Sequence, residues 1–205
     1  MGYWNDFVPF VDYATLDSYV DSIDHYVNSG MLKSASEFYY PVRLKPKGDN
    51  TLEQLKRGGV NHIEIRMIDL NPFSFCGIME EDLEFLHLLF VYLSSLEDEE
   101  FDDEAQVRAI TNMKRAALFD EEDIKILGEH GQEIPVSVAV KQIFEDMEAF
   151  YQKCGKMEAV EKLKFQKDKV EDEKKRYANQ IVDRFQTDYV QKGINLAKSY
   201  VKALK

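Results

Sequence analysis

The amino-acid sequence predicts an α+β fold: a partial antiparallel sheet packed by helices, with a mostly helical C-terminal half. Three observations carry this. EFYYPVRLK (37–45) and NHIEIRMIDL (61–70) alternate apolar and polar residues, the period-two pattern of half-buried strands. TLDSYVDSIDHYVNS (15–29) instead sets Leu16, Tyr19, Val20, Ile23, Tyr26 and Val27 at helical spacing. From residue 136 onward the pattern is helical throughout. The expected organisation is a mixed part, 1–97, and a helical part, 98–205.

Each element has a local reason. In 15–29, Thr15 is the expected N-cap and Gly30 the stop. In 37–45, Phe38, Tyr40, Val42 and Leu44 share one face, while Glu37, Tyr39, Arg43 and Lys45 share the other. Pro41 lacks a ladder donor, so this strand is expected at an edge or with a bulge there. A turn at Lys47–Asn50 leads to a short helix over 51–57 ending at Gly58-Gly59. Strand 61–70 is closed by Asn71-Pro72. A helix over 80–97 opens on Glu80, Glu81 and Asp82, which suit a helix N-terminus. Its apolar residues run nearly all round, so it is expected to be buried. After the acidic run EDEEFDDE, a helix is expected over 103–118, a loop over 120–135, and helices over 136–153, 156–168, 171–190 and 193–204.

The net charge of −12 argues against nucleic acid, whose phosphates are bound by clustered Lys and Arg, and against anionic membrane surfaces. The segment Leu83 to Leu96 is too short and too interrupted to span a bilayer. No signal peptide is recognisable in MGYWNDFVPF, and Cys76 and Cys154 form no C-x-x-C pair, so a reduced cytoplasmic chain is expected. P-loop, Rossmann, zinc and serine-hydrolase motifs are all missing. His87 is expected to be structural, and the acidic run 97–104 lacks the glycine and the order of a Ca²⁺ loop.

What remains is the charged face of the strand pair. His62, Glu64 and Arg66 lie on one face of the second strand, opposite Ile63, Ile65 and Met67. Such a face can simply meet water. It also suits phosphate chemistry: a carboxylate can hold Mg²⁺, and an arginine can grip a phosphoryl group through two parallel hydrogen bonds. Spacing alone leaves both readings open.

The residues also carry a family resemblance. Glu64, Arg66, Asp69, Asn71, Pro72 and Phe73 form a Glu-x-Arg-x-x-Asp-x-Asn-Pro-Phe run, preceded by Glu37, Tyr39, Pro41, Val42 and Arg43 in an E-x-Y-x-P-[IV]-R pattern. Together with the apolar helix that follows, these resemble the C-terminal part of bacterial glutamate–cysteine ligase, most specifically over 36–97. The resemblance implies a fragment of a glutamine-synthetase-like funnel, an antiparallel sheet wrapped by helices. It implies ATP and Mg²⁺ as cofactors, and L-glutamate and L-cysteine as substrates. Glu64 would ligate Mg²⁺, and Arg66 would contact the transferring phosphoryl group. Tyr39 would lie against the nucleotide, with Arg43 and Lys45 as further binding candidates. Asp69 and Asn71 are expected to support the turn.

Complete enzymes of this family are much longer, and their N-terminal portion supplies further metal carboxylates and most amino-acid-binding residues. The expectation is therefore a truncated or split product that works with a separate N-terminal half. Two other readings stay open: a related carboxylate–amine ligase with another acceptor, and a non-catalytic helical interaction module derived from the family.

Overall fold

A computed structural model describes residues 5–117 and 124–203. In chain order the helices are α1 (Leu16–Asn28), α2 (Leu52–Gly58), α3 (Glu80–Leu93), α4 (Asp103–Ala116), α5 (Val136–Lys153), α6 (Met157–Glu171), α7 (Tyr177–Phe185) and α8 (Tyr189–Ala203). The strands are β1 (Val42–Lys45), β2 (His62–Ile65), β3 (Lys125–Leu127) and β4 (Glu133–Pro135). Two small antiparallel sheets among helices make the chain α+β, as its patterns predict. The described residues form two compact units, one of 5–69, 99–117 and 125–133, the other of 70–98, 124 and 134–203.

In the first unit, Thr15 and Ser18 form a reciprocal capping box that starts α1. Tyr19, Val20 and Ile23 of α1 join Val11, Leu32, Phe38 and Leu55 in one core. Gln106 of α4 pins the N-terminal segment, accepting from Val11 N–H and donating to Val11 O, both at 2.9 Å. Asp102 caps α4 by accepting from Ala105 N–H at 2.8 Å.

The strands are shorter than the alternation predicts, and Pro41 explains why. β1 starts only at Val42, and the residues before it turn into a 3₁₀ segment at Ala35–Glu37. Arg66 N–H still reaches Pro41 O at 2.8 Å, but Pro41 has no N–H to return, so pairing ends there and 67–70 leave the ladder. The register pairs Arg43 with Glu64 and Val42 with Ile65.

In the second unit, α3 meets α5 and α6 through one stripe: Phe85, Leu88, Leu89 and Tyr92 pack with Phe144, Met147, Tyr151 and Leu163. The expectation that α3 is buried all round is corrected here. Only Leu88 is fully buried, while Leu83, Val91 and Leu93 stay exposed, as does His87. Two neighbours on one side of a helix cover one stripe of it and no more.

Other boundaries also shift. The loop expected at 120–135 holds the β3–β4 hairpin, closed by Gly128 N–H to Gln132 O at 2.8 Å; its residues 120–123, like Leu118 of the preceding expected helix, lie outside the described residues. The helix expected over 171–190 is broken twice. Asp172 Oδ1 accepts from Lys174 N–H, starting a 3₁₀ turn at Glu173–Lys175, and Gln186 takes φ 46 after α7. α8 then starts earlier than residue 193.

Asp82 ties three helices of this unit together. Its Oδ1 accepts from Gln166 Nε2 and from Lys169 Nζ (2.9 Å), and its Oδ2 accepts from the Tyr177 hydroxyl at 2.9 Å. Burial pushes the carboxyl up, but these three donors outweigh it and hold Asp82 below its ordinary range.

Two outcomes are expected. Leu163→Ala, at a position of 0% exposure, should cost about 2–5 kcal/mol in urea unfolding followed by far-UV dichroism. Because the pKa of Asp82 is lower folded than unfolded, its contribution is full at neutral pH and is lost as pH falls through the folded value. Melting scans should show an acid-side loss of stability that is smaller in Asp82→Asn.

Candidate functional site

The β1–β2 pair places its charged side chains on one face, as period-two geometry requires. Glu64 sits at the centre. Its Oε2 takes Arg66 Nε at 3.0 Å and Lys45 Nζ at 3.3 Å. Arg43 lies directly across the ladder from Glu64 and donates from Nη2 to Ala35 O at 3.0 Å. Three cations thus gather round one carboxylate in a chain of net charge −12.

Burial is graded across this cluster. Arg43 and Lys45 are each 8% exposed, whereas the side chains of Glu64 and Arg66 are 38% and 31% exposed. Two cations therefore form a fixed floor, and the Glu64–Arg66 pair faces solvent above it. Burial lowers the Arg43 pKa first, and the Arg66 charge lowers it further; Glu64 and Tyr19 oppose this. Burial pushes the Glu64 carboxyl up, but the hydrogen bonds from Arg66 and Lys45 outweigh it and hold Glu64 below the usual carboxylate range. Glu64 is thus ionised at neutral pH.

Tyr39 lies outside the strand. Its N–H donates to Asn5 Oδ1 at 3.1 Å, and it borders a small cavity of about 20 Å³ shared with Ile110 and Met113 of α4. Glu37, expected on the charged face, instead accepts from Lys33 N–H at 2.8 Å and closes a local turn. Asp69 is exposed, while Asn71 shapes the turn that follows, its Oδ1 accepting from Phe73 N–H at 2.9 Å. The Ala35 carbonyl that anchors Arg43 escapes sequence reasoning, because a backbone acceptor carries no residue-type signal. A wider groove of about 650 Å³ runs beside α4, bordered by Arg108, Thr111, Leu127 and His130, and none of the predicted site residues lines it.

The cluster suits a polyphosphate. Arg66 commits Nε to Glu64, and the Nη groups of a guanidinium are the pair that grips phosphoryl oxygens side by side. For Mg²⁺ the fit is partial. Glu64 is an ionised, half-exposed oxygen ligand, and both of its ion pairs use the same oxygen. No group of three or more His, Cys, Asp or Glu side chains that could hold a metal ion occurs among the described residues.

Comparison with known proteins identifies the family. The family model for glutamate–cysteine ligase matches residues 7–116, more than half of the chain and the whole of the charged cluster. The chain belongs to the glutamate–cysteine ligase family. It is 33% identical over 207 residues to the glutathione biosynthesis bifunctional protein of Listeria monocytogenes, covering 98% of this chain and 27% of that one. It is 35% identical over 140 residues to a glutamate–cysteine ligase of Clostridium acetobutylicum, covering 66% of this chain and 29% of that one. The glutamate–cysteine ligase of Francisella tularensis, solved with AMP, shares the fold with a TM-score of 0.85 at 17% identity, over 97% of this chain and 45% of that one. The chain thus spans under a third of the length of these curated ligase relatives.

Carboxyl NMR titration of Glu64 should give a midpoint below the ordinary glutamate value of about 4.3. Arg66→Ala should raise it, because the strongest hydrogen bond to the carboxylate is lost.

Proposed function

We propose that this chain is the C-terminal segment of an ATP- and Mg²⁺-dependent ligase joining the γ-carboxyl of L-glutamate to the amine of L-cysteine, the first step of glutathione synthesis. The observation that supports it most is the gathering of Arg43, Lys45 and Arg66 around the ionised Glu64, within the stretch that the family model matches. The AMP bound by the Francisella ligase, a protein of the same fold, is in keeping with a nucleotide site.

In this reading the glutamate side chain, a poor acylating agent as a carboxylate, takes the γ-phosphoryl group of ATP on one oxygen and releases ADP. The cysteine amine attacks the acyl phosphate carbon, loses a proton, and expels phosphate. Such transfers ask the protein for positioning and charge neutralisation above all. Arg66 contacts the transferring phosphoryl group through Nη. Lys45 and Arg43, held by the sheet, supply a fixed positive field beneath the phosphates. Glu64 would be a ligand of Mg²⁺, which would supply positive charge against the phosphate oxygens. For Tyr39, packing against the nucleotide rests on the family resemblance alone. The remaining metal ligands and the amino-acid-binding groups come from the N-terminal portion of the ligase, consistent with the greater length of the relatives. We place the reaction in the cytoplasm, in keeping with two free cysteines, Cys76 and Cys154. Among the described residues, no helix is long and apolar enough to cross a membrane.

The test is cysteine-dependent phosphate release by the chain, with and without a supplied N-terminal portion. In the active combination, Arg66→Ala should lower turnover on the order of 10²–10³-fold while leaving the melting temperature nearly unchanged. Ile65→Ala, on the opposite face, should cost about 1–2 kcal/mol of stability and little turnover. Equal activity losses with unchanged melting in both variants would overturn the assignment of faces.

A further inference from the structure

The family match ends at residue 116, yet much of what holds the second half of the family's motif comes from well beyond it. The Asn71-Pro72-Phe73 turn closes on itself through Asn71 N–H donating to Gly77 O at 2.7 Å and Phe73 N–H donating to Asn71 Oδ1. Gly77 has φ 78, a backbone conformation that residues other than glycine rarely adopt, so the return of the loop favours a glycine there. Three side chains from α7 and α8 then fasten the turn. The Tyr200 hydroxyl donates to Pro72 O at 2.8 Å. The Phe185 ring stacks on Phe73 with 6.1 Å between centroids. The Arg184 guanidinium lies 5.2 Å from the centre of the Phe73 ring, on cation–π terms. Beneath them Asn71 is 5% exposed, with its side-chain amide near the Tyr177 hydroxyl.

Along the chain the turn begins five residues after Arg66 and forms the second half of the Glu-x-Arg-x-x-Asp-x-Asn-Pro-Phe run. We propose that α7 and α8 act as a clamp in which Tyr200, Phe185 and Arg184 are positioning residues for the Asn71-Pro72-Phe73 turn, the second half of the motif, in the ligase reaction, a role that rests on the function proposed above. The C-terminal helices are in this view part of the catalytic scaffold.

Tyr200→Phe removes only the hydroxyl and keeps the ring against Phe75, 5.7 Å away. Hydrogen exchange on the whole chain should show the amides of Asn71, Phe73 and Ser74 roughly threefold to tenfold faster, with α5 and α6 unchanged. Phe185→Leu should act at the same amides. In the ligase completed with its N-terminal portion, Tyr200→Phe should lower kcat by about threefold to tenfold and leave KM for ATP within about twofold, since the turn bears none of the proposed phosphate-binding groups. Unchanged exchange at the turn overturns the clamp. Faster exchange everywhere reduces it to general stability, and faster exchange at the turn with unchanged kcat removes its positioning role; both overturn the proposal. Absence of turnover in the completed wild-type enzyme sinks the ligase reading instead, and the exchange pattern then decides whether the clamp exists.

Discussion

Pro41 carries no amide proton, and the arrangement of the charged cluster follows from that omission. A ladder cannot continue through a residue that has nothing to donate, so β1 begins at Val42 and the chain before it coils into a 3₁₀ turn. The coil brings Ala35 O to Arg43, and the register that starts at Val42 sets Arg43 across from Glu64. Glu64 then accepts from Lys45 and Arg66 on one oxygen. A carboxylate surrounded in this way stays ionised, and cations fastened in this way spend little conformational entropy when an anion arrives.

A different logic governs the second unit. Its core is an ordinary helix stack, with Met147 and Leu163 fully enclosed. Its polar contacts are less ordinary. Asp82 collects a lysine, a glutamine and a tyrosine from two other helices, and Lys169 also lies over the rings of Phe165 and Tyr177. Burial first, then the hydrogen bond to Asp82 and its charge, push the Tyr177 hydroxyl up, so it remains a donor at any physiological pH; the nearby Asn71 amide works against that shift without completing a proper hydrogen bond. These contacts hold α6 and α7 against α3, and α7 carries two of the side chains that fasten the motif turn.

Local signals were the legible ones. Thr15 and Thr51 start their helices, and α5 runs over the residues its periodicity marks. The shared face of Lys45, Glu64 and Arg66 was readable because side chains alternate in a strand whatever surrounds it. Features set by distant partners were not readable. The strands are shorter than their alternation because a period-two pattern does not show where the ladder stops, and it stops at Pro41. The burial of α3 is partial because composition counts apolar residues without saying how many neighbours cover them. The break at Asp172 and the left-handed Gln186 sit in a polar, charged stretch where helix propensity alone says continue. Tyr200 on Pro72 joins residues 128 apart, beyond any spacing argument.

The uncovered stripe of α3 has a colloidal consequence. Leu83, Val91 and Leu93 offer an adhesive surface to another copy, while the excess negative charge keeps copies apart. At low ionic strength the repulsion reaches some tens of ångströms, and at molar salt only about 3 Å. Added salt therefore shortens the reach of that repulsion and leaves these apolar side chains as exposed as before.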